Sequence, residues 1–135
     1  MEQTSILTTR RKRSVAGRLT RSSKLFKTII SAIQEKKGEK IVSLDLRKIP
    51  EAVADFFIVC EAGSTTQVKA IADFIEHSTW ETLKDSPYKS EGQQSGHWVL
   101  VDYVSIVVHI MQPETRHFYK LEEMWSDAQT EEHNG

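Results

Sequence analysis

Cysteine is nearly absent. Cys60 stands alone in 135 residues, which excludes an internal disulfide and argues weakly against a small secreted domain. No apolar run approaches the ~18 residues of a membrane span, and no signal-peptide pattern opens the chain. Metal-ligand spacing is missing as well. His77, His97, His109, His117 and His133 never stand as HxxxH, and one cysteine cannot complete a thiolate site. No G-x-S-x-G elbow marks a hydrolase nucleophile. There is no internal repeat and no low-complexity segment. What remains is a chain of one domain's size, 39% hydrophobic and 27% charged, long enough to bury a real core.

Net charge is only −1, but it is unevenly spread. Residues 1–24 hold seven basic side chains against Glu2, while the remainder has 11 basic and 18 acidic residues. Residues 1–21 show no periodicity and are expected to be a disordered basic tail on an acidic body. Arg10, Arg11, Lys12 and Arg13 are candidate RNA contacts, since such a cluster suits phosphate backbones and binds them in a salt-sensitive way. A merely solvated tail fits equally well. A transit peptide ranks behind both, because Glu2 and the lack of an amphipathic apolar stripe oppose it.

From residue 22 the pattern becomes periodic. Leu25, Phe26, Ile29, Ile30 and Ile33 form a stripe of period 3.6, with Ser22 or Ser23 as N-cap and Lys36, Lys37 and Gly38 as a stop. Residues 40–47 alternate like a strand, Val42, Leu44 and Leu46 against Ser43 and Asp45. Residues 54–62, ADFFIVCEA, read as a central strand covered on both faces. Cys60 inside it reads as a buried, inert thiol, with no basic or histidine neighbour to activate it. A second helix follows, with Ser64 and Gln67 at capping-box spacing and Val68, Ile71, Ala72, Ile75 and Thr79 turned inward. A short strand near 88–91 and a turn through Gly92 to Gly96 lead into HWVLVDYVSIVVHI, residues 97–110. PETRHFYKLEEMW, residues 113–125, predicts a helix opened by proline and anchored by Phe118, Leu121 and Trp125. The expected domain is 22–127, with 128–135 a flexible tail. The element order predicts one α/β fold, a mixed sheet packed with helices.

Tests for catalysis mostly fail. A Gly-Ser passage into a helix, Gly63 and Ser64, invites a phosphate site and broadly resembles the nucleotidyltransferase layout. Such enzymes need a D-x-D or D-x-E pair on the next strand to hold two metal ions. Here Asp73 and Glu76 are three apart on a helix. A triad of Ser105, His109 and Asp102 can be drawn, but strand alternation supplies no evident oxyanion donors.

The stretch from 97 to 110 is more informative. A tight hairpin at Tyr103 and Val104 would oppose Asp102 with Ser105, Leu100 with Val107 and Trp98 with His109. Val99, Val101, Ile106, Val108 and Ile110 would then form an apolar face for the helices. The other face would present Trp98, Leu100 and Val107 ringed by His109, Asp102 and Ser105, the composition of a docking surface. A second helix layer over that face would instead make Trp98 ordinary core. Val104 is also a poor residue for a turn that needs positive φ.

Several motifs in order resemble the Iojap, or ribosomal silencing factor, family: KKGEKIVSLDLR, ADFFIVCEAGSTTQVKAIAD, EGQQSGHWVLVDY and VVHIMQPETRHFYKLEEMWSDA. The resemblance covers about Leu25 to Ala128. It implies a nucleotidyltransferase-like fold without the catalytic carboxylates, no enzymatic activity and no cofactor or metal. It implies binding to the large ribosomal subunit through ribosomal protein uL14, blocking subunit joining and repressing translation, with large-subunit biogenesis as a related role. The family's docking tryptophan maps to Trp98, with neighbouring hairpin residues at Asp102 and Tyr103. The partner-binding residues expected here are therefore Trp98 as anchor, Leu100 and Val107 as apolar contacts, and Asp102, Tyr103 and His109 as rim. Partners would include rRNA through the tail and a homodimer off the ribosome. The short tail favours a bacterial cytoplasm over an organellar matrix. One departure stands out: the family turn D-Y-G-D reads DYVS here, residues 102–105. Two rival readings remain, an RNA-binding assembly factor led by the tail and a nucleotidyltransferase-like enzyme using Gly63, Ser64 and Asp45.

Overall fold

The computed structural model describes residues 23–134. The N-terminal tail, including Arg10, Arg11, Lys12 and Arg13, lies outside them. Helix α1 (Lys24–Glu35) starts where the Ser23 side chain accepts the Phe26 N–H, and it buries Phe26, Ile29, Ile30, Ala32 and Ile33. Helix α2 (Thr65–Leu83) is capped by Ser64, which accepts the Gln67 N–H at 3.1 Å. Its buried residues are the five read from the sequence, Val68, Ile71, Ala72, Ile75 and Thr79.

Six strands make one mixed sheet in the order β3-β4-β5-β2-β1-β6. They are β1 (Glu39–Asp45), β2 (Phe56–Glu61), β3 (Lys89–Glu91), β4 (Trp98–Asp102), β5 (Ile106–Met111) and β6 (Gln129–Glu132). Strand β2 runs parallel to β5 and antiparallel to β1, so it lies inside the sheet as its continuous apolar sequence predicts. Cys60 is fully buried there, and burial pushes its thiol up to about 12. Helices α1 and α2 seal one face over Phe56, Ile58, Cys60, Val99, Val101, Ile106, Val108 and Ile110.

Two expectations for the C-terminal region change. Residues 113–125 do not form one helix, because Lys120 adopts a left-handed conformation at φ 50 and breaks it into α3 (Pro113–Tyr119) and α4 (Leu121–Met124). Of the three expected anchors, Leu121 is buried and Trp125 half-buried, but Phe118 is 76% exposed. Nor is 128–135 simply a flexible tail. Gln129–Glu132 form β6, antiparallel to β1, and Gln129 to Glu132 pair with Asp45 to Val42. These residues lack the alternation by which strands are recognised, and backbone pairing with β1 makes them a strand.

Candidate partner-binding face

The β4–β5 hairpin turns through three residues, 103–105, rather than two. Asp102 pairs with Val107, Leu100 with His109 and Trp98 with Met111. The pairing is thus shifted by two residues from the expected register. The faces are nevertheless as expected, because a slip of two residues preserves which side each chain points to. Tyr103 accepts the Ser105 N–H and donates its own N–H to the Ile106 carbonyl, closing a γ-turn with Val104 at φ 74. Asp102 Oδ1 accepts the Val104 N–H at 2.7 Å and fixes the turn from within. The geometry that glycine favours is kept with a β-branched residue in place.

Across from the start of β4, Gly92, which directly follows β3, has φ +92, and a Cβ there would stand 2.1 Å from the Trp98 carbonyl oxygen. That close approach sets the entry of the strand carrying Trp98. The even residues of β4 share the face turned away from α1 and α2 with Val107, His109 and Met111, and with Phe57 and Val59 of β2. Leu121, Trp125, Ile49 and Ala52 pack against the part of this face near β1 and β2. Toward β4 the cover thins, and Trp98 and Leu100 remain partly exposed.

Across this face runs a chain of ring contacts. Trp125 meets Phe57 at 6.0 Å between centroids, Phe57 meets His109 at 4.6 Å, and His109 meets Trp98 at 5.9 Å. Trp98 then meets Tyr119 at 4.9 Å, and Tyr119 meets Phe118 at 4.9 Å. His109 is buried, Trp125, Phe57 and Trp98 are half-buried, and Tyr119 and Phe118 are exposed.

His109 is the pivot. Its Nδ1 accepts the Trp98 indole N–H at 3.1 Å. Indole nitrogen only donates, so Nδ1 carries no proton and the neutral ring is protonated at Nε2. That N–H is buried without a hydrogen-bond partner. Burial holds the imidazole down at about 4, against an opposing pull from the Asp102 carboxylate.

The expected rim and one expected apolar contact therefore have to be corrected. Asp102, Tyr103 and His109, expected as rim, and Val107, expected as an apolar contact, are all buried, so none borders the exposed surface. Tyr103 lies on the helix side, its hydroxyl 2.8 Å from Thr79 Oγ1, and burial raises it to about 12. Trp98 and Leu100 are the expected contacts that reach solvent. Sequence reasoning missed Tyr119 and the outward turn of Phe118, and it missed Phe57. The alternation of residues 54–62 places Phe57 opposite Phe56, a signal masked by an apolar run with no polar face.

Helix α3 itself buries no apolar side chain. Arg116 ties it down, donating to Glu61 Oε1 at 3.2 Å, to Glu122 Oε2 at 2.6 Å and to the Lys40 carbonyl at 2.7 Å. Both Arg116 and Glu61 side chains are about nine-tenths buried.

The drawn catalytic sets do not assemble. His109 Nδ1 is taken by Trp98, and Asp102 Oδ1 by a backbone N–H, so no Ser105–His109–Asp102 relay exists. Ser64 follows the end of β2, whereas Asp45 pairs with Phe56 at its start and also binds Arg47. Six residues of strand, roughly 20 Å, separate them.

A family model described as ribosomal silencing factor during starvation matches residues 20–135. The ribosomal silencing factor of Halalkalibacterium halodurans is 34% identical over 114 residues, covering 84% of this chain and 96% of that protein. A crystal structure of a protein from Chromobacterium violaceum has 37% identity and a TM-score of 0.71, over 76% of this chain and 83% of that one. The mouse protein named for mitochondrial assembly of the ribosomal large subunit is 36% identical over 75 residues, 53% of this chain and 32% of that protein. On its motifs, its fold and these matches, the chain belongs to the ribosomal silencing factor (Iojap) family.

Proposed function

We propose that this chain binds the large ribosomal subunit through ribosomal protein uL14 and, by occupying that surface, blocks the small subunit from joining. The observation that carries the reading is the asymmetry of the sheet. One face is sealed under two helices, while the other leaves Trp98 and Leu100 partly exposed within an aromatic chain. Half-buried tryptophans on rigid strands are the kind of anchor that dominates protein interfaces. The names of the relatives point to the ribosome, and that of the mouse protein to its large subunit. A bacterial cytoplasm is the setting this reading assumes, and a second copy is the occupant it allows when no ribosome is present.

Co-sedimentation with purified large subunits tests it, together with subunit joining followed by light scattering. Wild type should bind and slow joining. Leu100→Ser and Trp98→Ala should each weaken binding by about 2 kcal/mol or more if they sit at the centre of the interface. Binding unchanged by both variants would move the contact elsewhere. Deleting residues 1–21 separates the rival led by RNA: loss of all binding would favour the tail, a weaker and flatter salt dependence would not.

A further inference from the structure

We infer that the docking face continues off the sheet onto α3, with Phe118 and Tyr119 as its outer half, and that its counterpart is a protein surface with an apolar centre and a basic border, not RNA. This rests on the reading that Trp98 and Leu100 dock. Phe118 is 76% exposed and Tyr119 49%, and single exposed aromatics would call for no explanation. These two are not single. Tyr119 touches both Phe118 and Trp98, so the exposed rings extend the surface begun by the anchor. They also do little for the fold, since α3 buries no apolar side chain and is fastened through the largely buried Arg116.

Charge selects the partner. Residues 113–124, which carry the aromatic patch, hold Arg116 and Lys120 against Glu114, Glu122 and Glu123, and Arg116 is already occupied by Glu61 and Glu122. Glu114 stands one helical turn before Phe118, and Glu91 pairs directly with Leu100 across β3 and β4. Of the exposed lysines, Lys24, Lys27, Lys36 and Lys37 lie on or just after α1, which covers the opposite sheet face, while Lys120 adjoins Tyr119 and Lys89 on β3 is paired with Glu91 at 3.4 Å. Phosphates would be repelled from the aromatic patch, whereas lysines and arginines bordering an apolar protein surface would be drawn to it.

Large-subunit binding by the full chain is to be titrated for wild type, Phe118→Ala, a Glu91→Lys/Glu114→Lys double variant, and Leu100→Ser as the control for the underlying reading. Matched urea midpoints should accompany each. Phe118→Ala is expected to keep its stability and bind at least tenfold more weakly, and the charge reversal to weaken binding several-fold at low salt. Undiminished binding by Phe118→Ala, with Leu100→Ser impaired, would overturn the inference and leave the reading standing. Tighter binding after charge reversal would identify RNA as the neighbour and overturn it as well. No binding by wild type would sink both.

Discussion

Lowering the pH should weaken this fold through His109, by an amount the structure allows one to work out. In the unfolded chain the imidazole takes up a proton near its usual 6.5. In the folded protein it does so only at about 4, because the ring is buried. Between those values the unfolded state binds more protons, so stability is complete above about 6.5 and falls as pH drops toward 4. A difference of about 2.5 units corresponds to about 3 kcal/mol in all, of which about 2 kcal/mol is lost by pH 5. Protonation at Nδ1 would also set two donors, imidazolium and indole N–H, against each other across the 3.1 Å contact. The assay is urea unfolding followed by tryptophan fluorescence at pH 7.5, 6.0 and 5.0. His109→Asn is the comparison, since its amide oxygen can still accept the indole N–H but does not titrate. The carboxylates and the other histidines are common to both proteins and cancel in the difference. Equal pH slopes for wild type and His109→Asn would refute the assignment of this loss to the buried ring.

Other substitutions probe separate parts of the argument. At Val104 a positive φ costs a β-branched residue about 1–3 kcal/mol, while its buried side chain contributes about 1.5–2 kcal/mol. Val104→Gly should therefore change stability by no more than about 1 kcal/mol, and Val104→Ala, which keeps the strain and loses the burial, should cost more. Urea midpoints decide it, and a glycine variant less stable than the alanine one would contradict the strain. Arg116→Met strands the buried Glu61 carboxylate and should cost about 3 kcal/mol or more, seen as a lower thermal midpoint. Cys60, buried and raised to about 12, should resist thiol reagents in the native protein and react only as fast as the chain opens.

What was legible in the sequence follows from which forces fix each part. The inward residues of α1 and α2 could be read because burial imposes a 3.6 period on a long amphipathic helix. The two faces of the β4–β5 hairpin could be read because alternation depends only on parity, so the two-residue shift from the expected pairing left Val99 and Val101 on the helix side. The turn itself could not, because a γ-turn at Val104 depends on the Asp102 side chain and carries no turn residue to announce it. Strand β6 was hidden for a related reason: Gln129–Glu132 are all exposed, and only the backbone of β1 makes them a strand. The site was half legible. Trp98 and Leu100 stand where alternation puts them, but burial of Asp102, Val107 and His109 depends on how far the C-terminal helices reach over the sheet. That reach is set by a tertiary ion pair between residues 55 apart, Arg116 and Glu61.

The choice of histidine at 109 makes sense only with Trp98 in view. For the fold alone, an apolar side chain of similar size would serve better. The orphaned Nε2–H costs about 1–3 kcal/mol, whereas a neutral hydrogen bond to the indole returns about 0.5–1.5 kcal/mol. What the imidazole supplies is orientation. It accepts the indole's sole donor from beneath, while Tyr119 presses on the same ring, so Trp98 is held in one pose with no polar demand left to satisfy. An anchor fixed before contact loses less side-chain freedom on docking, a saving of about 0.5–1.5 kcal/mol for each side chain so held. The stability given up in the core at His109 is thus of the same order as the ordering cost avoided at the surface.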